Sequence, residues 1–479
     1  MTRVALLVAV SIVLAVNAWA SIHVVTYKRD PRGAAAWLWA IWMTPIVGAF
    51  LYFMLGINHI GRRATRMRGR RHPLGFAPCA GALTAEALGR LMPSHLAHFA
   101  ALARVGDAIT GRTLLPGNNV EPLIDGDEAY PAMLKAIEGA KRSVSLLAYI
   151  FVVDEVGEQF IDALARARAR GVAVRVLLDD IGSSRTLAEA QDAFDAADVR
   201  MARFFPLRVL KFARHAGLRN HRKILVADGL LGFTGGMNIR SSHLVRRPQP
   251  RHEQDVHFRL SGPVVQHLQE VFTEDWAFAT GEILGGEDWF PQGSCAGATI
   301  ARGVAFDPGE RPDSLRTLIV AALSTARTSV RIVTPYFLPD AALVSALNVA
   351  ALRGVRVEIV LPEISDVRLV QWAMSAMLWQ VLGSGCRVFL TPPPFDHAKL
   401  MVVDEAWVLL GSANLDPRSL RLSFEMNVEC FDPSLAAAVG RLVQHRIDRG
   451  RAVTLRELDQ RSLPVRIRDG TARLLTPFL

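Results

Sequence analysis

Apolar residues gather at the start of this chain and then spread into a regular alternation. Residues 4–20 are interrupted only by Ser11 and Asn17, and the run can be continued to Val25; residues 34–57 read AAAWLWAIWMTPIVGAFLYFMLGI without a charge. At about 1.5 Å per helical residue, roughly 20 residues cross a bilayer's hydrocarbon core, so the pattern predicts two membrane helices, over 4–25 and 34–57. Pro45 predicts a kink in the second, which lipid tolerates where neighbours satisfy the freed carbonyl. Trp37, Trp39, Trp42 and Tyr52 are available as interfacial anchors. The residues NAWA at 17–20 end like a cleavage site, but a second apolar run follows at once, which favours a hairpin over a removed leader.

From about residue 118 the pattern becomes strand, helix, strand, and it occurs twice. AKRSVSLLAYIF at 140–151 resembles ARTSVRIVTPYF at 326–337, and RARARGVAVRVLLD at 166–179 resembles AALRGVRVEIVLPE at 350–363. In each copy an amphipathic helix ends at a glycine, Gly171 or Gly354, and an alternating Val/Arg strand begins. The offset between copies shrinks from 186 to 183 to 176 along the chain, as loop insertions in the first copy would produce. Strands alternating with helices predict mixed sheets flanked by helices. The expected organisation is a membrane hairpin with a basic flank at 1–72, a linker at 73–117, and two tandem α/β halves at 118–290 and 291–479, packed about a pseudo-two-fold axis.

Charge and cysteine content refine that picture. The chain combines 51% apolar residues with a net charge of +10, which predicts an anionic partner, either nucleic acid or an acidic bilayer surface. Six arginines (Arg62, Arg63, Arg66, Arg68, Arg70 and Arg71) follow the second apolar run, against Lys28, Arg29 and Arg32 in the hairpin loop. The positive-inside bias therefore predicts that everything after residue 62 stays in the cytoplasm. Cys79, Cys295, Cys386 and Cys430 have no CxxC spacing, which argues against a zinc cluster or a disulfide framework. A second basic stretch, RFFPLRVLKFARHAGLRNHRK at 203–223, suits either a solvated loop or a membrane surface.

Lysine supplies the sharpest signal. Of six lysines in the chain, Lys223 and Lys399 each lie two residues after a histidine (His221, His397) and five before an aspartate (Asp228, Asp404). The offset of 176 persists to Asn238 and Asn414, which follow Gly-Gly and Gly-Ser turns that let backbone approach a ligand closely. Two histidines, two lysines and two asparagines suit a phosphodiester. Histidine is a competent nucleophile toward phosphorus, and a second imidazole can donate to the leaving alkoxide and later deprotonate an incoming alcohol. Lysines neutralise the non-bridging oxygens, and the asparagine amides add uncharged donors. A carboxylate behind each ring would fix its tautomer; Asp255 and Glu425, aligned at an offset of 170, are the candidates.

These paired HxKxxxxD motifs, with GG.N and GSAN after them, resemble the phospholipase D superfamily. KRDPR in the hairpin loop, NHRK at 220–223, SANLDPRS at 412–419 and the closing RLLTPFL resemble the bacterial cardiolipin synthases within it. At 252–255, HEQD stands where the commonest family pattern has a tryptophan-containing stretch. The resemblance implies two phospholipase D-like α/β halves and phosphatidyl transfer from one phosphatidylglycerol to another with release of glycerol. It implies no cofactor or metal, and partners that are phosphatidylglycerol, anionic membrane lipids and the membrane itself rather than nucleic acid. It further implies His221 as nucleophile, His397 as acid–base, the motif aspartates as essential supports, and a multi-pass bacterial inner-membrane location with the catalytic part facing the cytoplasm. The alternative is a hydrolase, a phospholipase or a nuclease, that uses the same phosphohistidine with water as acceptor.

Overall fold

The computed structural model describes residues 3–28, 31–56, 81–184, 186–204, 218–248, 251–308 and 313–476. The arginine-rich flank at 62–71, Cys79 and the core of the second basic stretch, 205–217, lie outside the described residues. An N-terminal unit falls within residues 1–69, and a large unit holds the described residues from 81 onward.

In the N-terminal unit the first apolar run forms one helix, Arg3–Tyr27, the one described helix long and apolar enough to cross a membrane. The second run departs from the expected single kinked helix. It forms Pro31–Met43, breaks, and resumes as Val47–Leu51 with a π-helical turn at Tyr52–Gly56. The cause is local. Pro45 has no N–H to give, and Ile46 takes a left-handed φ of 75°. The Thr44 hydroxyl donates to the Ala40 carbonyl at 2.8 Å, and a Cβ at Gly48 would meet that same carbonyl oxygen at 2.1 Å. The chain thus doubles back where a simple kink was expected. The two runs pack together through Trp42 Nε1, which donates to Ser21 Oγ at 3.1 Å, and through Tyr52 against His23 at 2.8 Å.

The large unit is built on one mixed sheet. Its first-half strands are β1 (Leu115–Ile124), β2 (Ser143–Ala148), β3 (Ala173–Asp179), β4 (Met201–Phe204), β5 (Arg219–Asn220), β6 (Ile224–Ala227), β7 (Leu231–Gly235), β8 (Glu253–Gln254) and β9 (Val256–Ser261). The second half contributes β10 (Thr299–Phe306), β11 (Ser329–Val333), β12 (Arg356–Pro362), β13 (Arg387–Thr391), β14 (Phe395–Asp396), β15 (Leu400–Val403), β16 (Trp407–Gly411), β17 (Ser423–Phe431) and β18 (Arg451–Val453). The order across the sheet is β18-β13-β12-β11-β15-β16-β17-β10-β1-β9-β7-β6-β2-β3-β4. Outward from the antiparallel β1–β10 pair, each strand of one half has its counterpart in the other, β9 with β17, β7 with β16, β6 with β15, and β2 with β11. That is the pseudo-two-fold, carried by a single continuous sheet.

Burial on both faces explains why the central strands read as unbroken apolar runs: β6 (ILVA) and β15 (LMVV) are buried at every position. One face carries a core shared by the halves, where helices Val265–Thr280 and Pro433–Arg449 contribute Phe272, Trp276, Val439 and Val443. The other face carries a separate core for each half. Residues 81–111, read from sequence as part of a linker, instead form helices Ala85–Leu91 and Phe99–Thr110, whose Leu88, Phe99 and Leu102 enter the second-half core. Cys386 and Cys430 are buried and free, whereas Cys295 is disulfide-bonded, a bridge that the cysteine spacing does not announce.

Candidate active site

Each HxKxxxxD motif is a β-hairpin with chemistry at one end and an anchor at the other. The hairpin turns are Asp228-Gly229 and Asp404-Glu405, all four residues with left-handed φ between 51° and 65°, the geometry that matches strand twist in two-residue loops. The Asp228 carboxylate accepts from the backbone N–H groups of Lys141, Arg142 and Ser143. Asp404 does the same with Arg327, Thr328 and Ser329. Each aspartate therefore clamps the start of the neighbouring strand, β2 or β11. Each lies seven positions along extended chain from its histidine, roughly 20 Å. The motif aspartates are not brought to the imidazoles.

The histidines are held from across the molecule. β5 pairs in parallel with the first residues of β17, and His221 N donates to Phe424 O at 2.9 Å. That register sets the next residue, Glu425, against the ring: His221 Nδ1 lies 3.1 Å from both Glu425 carboxylate oxygens. The second motif repeats the arrangement in reverse. β14 pairs with β8, His397 N donates to Gln254 O at 2.7 Å, and His397 Nδ1 lies 3.0 Å from Asp255 Oδ2. Each half supplies the carboxylate for the other half's histidine. With Nδ1 so engaged, Nε2 is the nitrogen left for chemistry.

Both lysines fold back on their own motif, Lys223 Nζ donating to His221 O at 2.7 Å and Lys399 Nζ to His397 O. Burial is the first influence on all four groups. It lowers Lys223 to about 7 and Lys399 to about 8. His221 falls to about 4 through burial and then the Lys223 charge. His397 is pushed well below its ordinary value by burial and by Lys399, Lys223 and His221. Charges of each motif act on the other, Lys399 on His221 and Lys223 on His397, so both imidazoles are held neutral while the lysines are charged.

Asn238 and Asn414 are both buried. Asn238 Oδ1 accepts from Ile150 N at 3.2 Å, and Asn414 Oδ1 has no hydrogen-bond partner. Two tyrosines not singled out from sequence stand over the rings. Tyr149 meets His221 edge-on with centroids 4.8 Å apart, and Tyr336 meets His397 at 6.4 Å while donating to Asp366 at 2.7 Å. The chain has only five tyrosines, so scarcity, the signal that exposed the lysines, also marks these two. Ser412, which donates to Glu425, is a further residue that sequence reading missed.

Comparison with known proteins agrees with this construction. A family model described as cardiolipin synthase, phospholipase D-like domain, matches residues 133–276 and 319–447, and a phospholipase D–nuclease N-terminal model matches 15–56. Cardiolipin synthase A of Pseudomonas putida (strain GB-1) is 31% identical over 462 residues, covering 96% of this chain and 95% of the relative. The major cardiolipin synthase of Bacillus subtilis (strain 168) is 31% identical over 462 residues, covering 94% and 95%. Among solved structures, phosphatidylserine synthase of Haemophilus influenzae Rd KW20 superposes with a TM-score of 0.59 at 17% identity, covering 79% of this chain and 100% of that one; the likeness is one of fold. With two family matches spanning both halves and relatives aligned nearly end to end, the chain belongs to the cardiolipin synthase family of phospholipase D-like proteins.

Proposed function

We propose that this phosphatidyltransferase joins two phosphatidylglycerol molecules into cardiolipin and glycerol through a phosphohistidine on His221. The observation that carries the reading is the crossed pairing of each motif histidine with a carboxylate from the opposite half. Glu425 and Asp255 accept from Nδ1–H and leave both Nε2 lone pairs available.

The donor's phosphodiester monoanion enters a cavity holding two lysines. Its charge offsets theirs, keeps them protonated and lets His397 take up a proton. His221 Nε2 then attacks phosphorus, the P–O bond to glycerol breaks, and the leaving alkoxide takes the proton from His397. Lys223 and Lys399 balance the charge on the non-bridging oxygens. Glycerol leaves. A primary hydroxyl of the second phosphatidylglycerol gives its proton to His397 and attacks the phosphohistidine; the P–N bond breaks and His221 is restored. Asn238 and Asn414 serve as uncharged donors to the phosphate. Asp228 and Asp404 act at a distance, fixing the hairpins that carry the histidines.

The N-terminal unit anchors the enzyme in the bacterial inner membrane through helix Arg3–Tyr27. The second run folds back at Pro45 toward the hairpin-loop end, and Lys28, Arg29 and Arg32 with the arginines from residue 62 onward keep that end and the catalytic unit in the cytoplasm. The test is the purified full-length protein in detergent with glycerol-labelled and acyl-labelled phosphatidylglycerol. Cardiolipin and free glycerol in equal amounts are expected. Phosphatidic acid without cardiolipin would make the protein a hydrolase, and nicked plasmid with untouched lipid a nuclease.

A further inference from the structure

The last described helix, Leu463–Leu474, is amphipathic in the wrong direction for a water-facing surface. Its inner side packs on helix Arg368–Ser375, with Ala472 and Asp469 buried and the Arg468 guanidinium 4.7 Å from the Trp372 ring. Its outer side should then be polar. Instead Leu463, Ile467 and Leu474 are 67%, 60% and 73% exposed. At 100° per residue these three fall within an arc of about 40°. Arg466 and Arg473, both exposed, border that stripe on one side. The helix's one acid, Asp469, is 1% exposed and neutralised by Arg461 at 2.8 Å and Arg468 at 2.8 Å. The outward face therefore presents apolar side chains and cations, with no anion.

We propose that the outward stripe of helix Leu463–Leu474 lies in the surface of an anionic bilayer, with Leu463, Ile467 and Leu474 among the acyl chains and the flanking arginines at the phosphates. Charge decides between a bilayer and a second copy of this chain. Two such faces brought together would oppose arginines with no acid between them, whereas an anionic lipid surface complements them. The face also leads toward the site. Helix Arg368–Ser375, on which it packs, follows a segment with exposed Ile364 and Val367 on either side of Asp366, the residue that accepts from Tyr336 beside His397. Docking there brings the His397 side of the cavity to the lipid. This deepens the proposed function and rests on its premise that the substrates are lipids drawn from a membrane.

The experiment uses the full-length protein in nanodiscs of phosphatidylglycerol and phosphatidylcholine. Ile467→Cys carries a polarity-sensitive dye, and Arg166→Cys, on an exposed helix of the first half, serves as the control. Dye at 467 is expected to emit at shorter wavelength and to be quenched by nitroxide-labelled lipid, while dye at 166 does neither. Emission at 467 that matches the control overturns the proposal. A blue shift without lipid quenching, together with cross-linking of 467 to 467, also overturns it and assigns the face to a second copy. In parallel, Leu463→Gln, Ile467→Gln and Leu474→Gln combined should lower turnover of bilayer phosphatidylglycerol about tenfold and leave turnover in mixed micelles unchanged; equal losses in both media overturn the proposal. Should the unsubstituted enzyme make no cardiolipin even in micelles, the proposed function fails, and the quenching result still decides the docking face.

Discussion

The two half-sites share a topology and differ in how each is braced. Around His221, the ring faces both oxygens of a glutamate, and Ser412 donates to that glutamate from behind. Around His397, the ring faces one oxygen of an aspartate. The position matching Ser412 is Gly236, where a Cβ would lie 2.6 Å from both Asp255 oxygens. A shorter acid with a glycine replaces a longer acid with a serine. The residue inside each motif differs as well. Arg222 is fully buried and bonds Asp275 of its own half, together with Phe306 O, Asp307 and Glu425 O of the other. Ala398 takes its place in the second motif, where Asp396 pairs instead with Arg446. Both braces run from a motif to a helix on the shared face, with the charges exchanged. Taking one partner from so buried a set costs about 3–5 kcal/mol. Duplication has kept the crossed histidine–carboxylate pairs and let their supports diverge, which is the latitude two histidines need to take different roles.

The largest effect should come from removing either ring. His221→Ala is expected to abolish both cardiolipin formation and covalent labelling. His397→Ala should lower turnover about 10³-fold, in the range of lost general acid–base catalysis. It should still form a phospho-enzyme with a p-nitrophenyl phosphodiester, whose leaving group needs no proton. Labelling that survives in His221→Ala and vanishes in His397→Ala would exchange the roles of the half-sites.

Next come the carboxylates. Glu425→Gln offers an N–H to Nδ1, so the ring turns to the tautomer protonated at Nε2 and the nucleophilic lone pair is lost. A drop of about 10³ to 10⁴ in turnover is expected, the scale of a wrong tautomer in a comparable pair. Gly236→Ala tests the other side: its new Cβ must displace Asp255, slowing turnover about tenfold while labelling by the activated donor stays intact. If Gly236→Ala also blocks labelling, the two half-sites do not divide the work as argued.

How much of this was legible in sequence depended on whether a pattern was local. The scarcity of lysine and a constant offset isolate both motifs, and the strand–turn–strand alternation of 223–235 and 399–411 reads directly as the hairpins β6–β7 and β15–β16. Asp255 and Glu425 emerge from the repeat as well. That each serves the other half's histidine does not, because the crossing is set by two-residue strand pairs, β5 with β17 and β8 with β14, too short to leave a sequence period. The fold-back at Pro45 depends on Gly48 meeting Ala40, a contact no propensity reports. Helix Phe99–Thr110 carries a local amphipathic period of its own, and only the partners of its apolar face, second-half residues such as Leu315 and Leu318, are beyond the reach of sequence.

The smallest effects lie in pH dependence, and they separate the two lysines. In the empty cavity, burial and the Lys223 charge hold the His221 pKa at about 4, so kcat/KM should fall only as pH drops through about 4 and the nucleophile gains a proton. On the alkaline side the lysines lose charge as pH rises, Lys223 at about 7 and Lys399 at about 8, both lowered first by burial. His397, held well below its ordinary pKa in the free enzyme, must take up its proton with the substrate. That gives every variant the same first alkaline slope of kcat/KM; the further break above it should start with Lys223. Arginine stays charged throughout this range, so Lys223→Arg should carry that break up to about 8, where Lys399 still titrates, whereas Lys399→Arg should leave it at about 7. The limb of kcat should sit higher than that of kcat/KM in every variant, since bound phosphodiester holds both lysines protonated. Profiles of the two variants that coincide would mean that the lysines titrate as one, and that the inequality of the half-sites stops at the histidines.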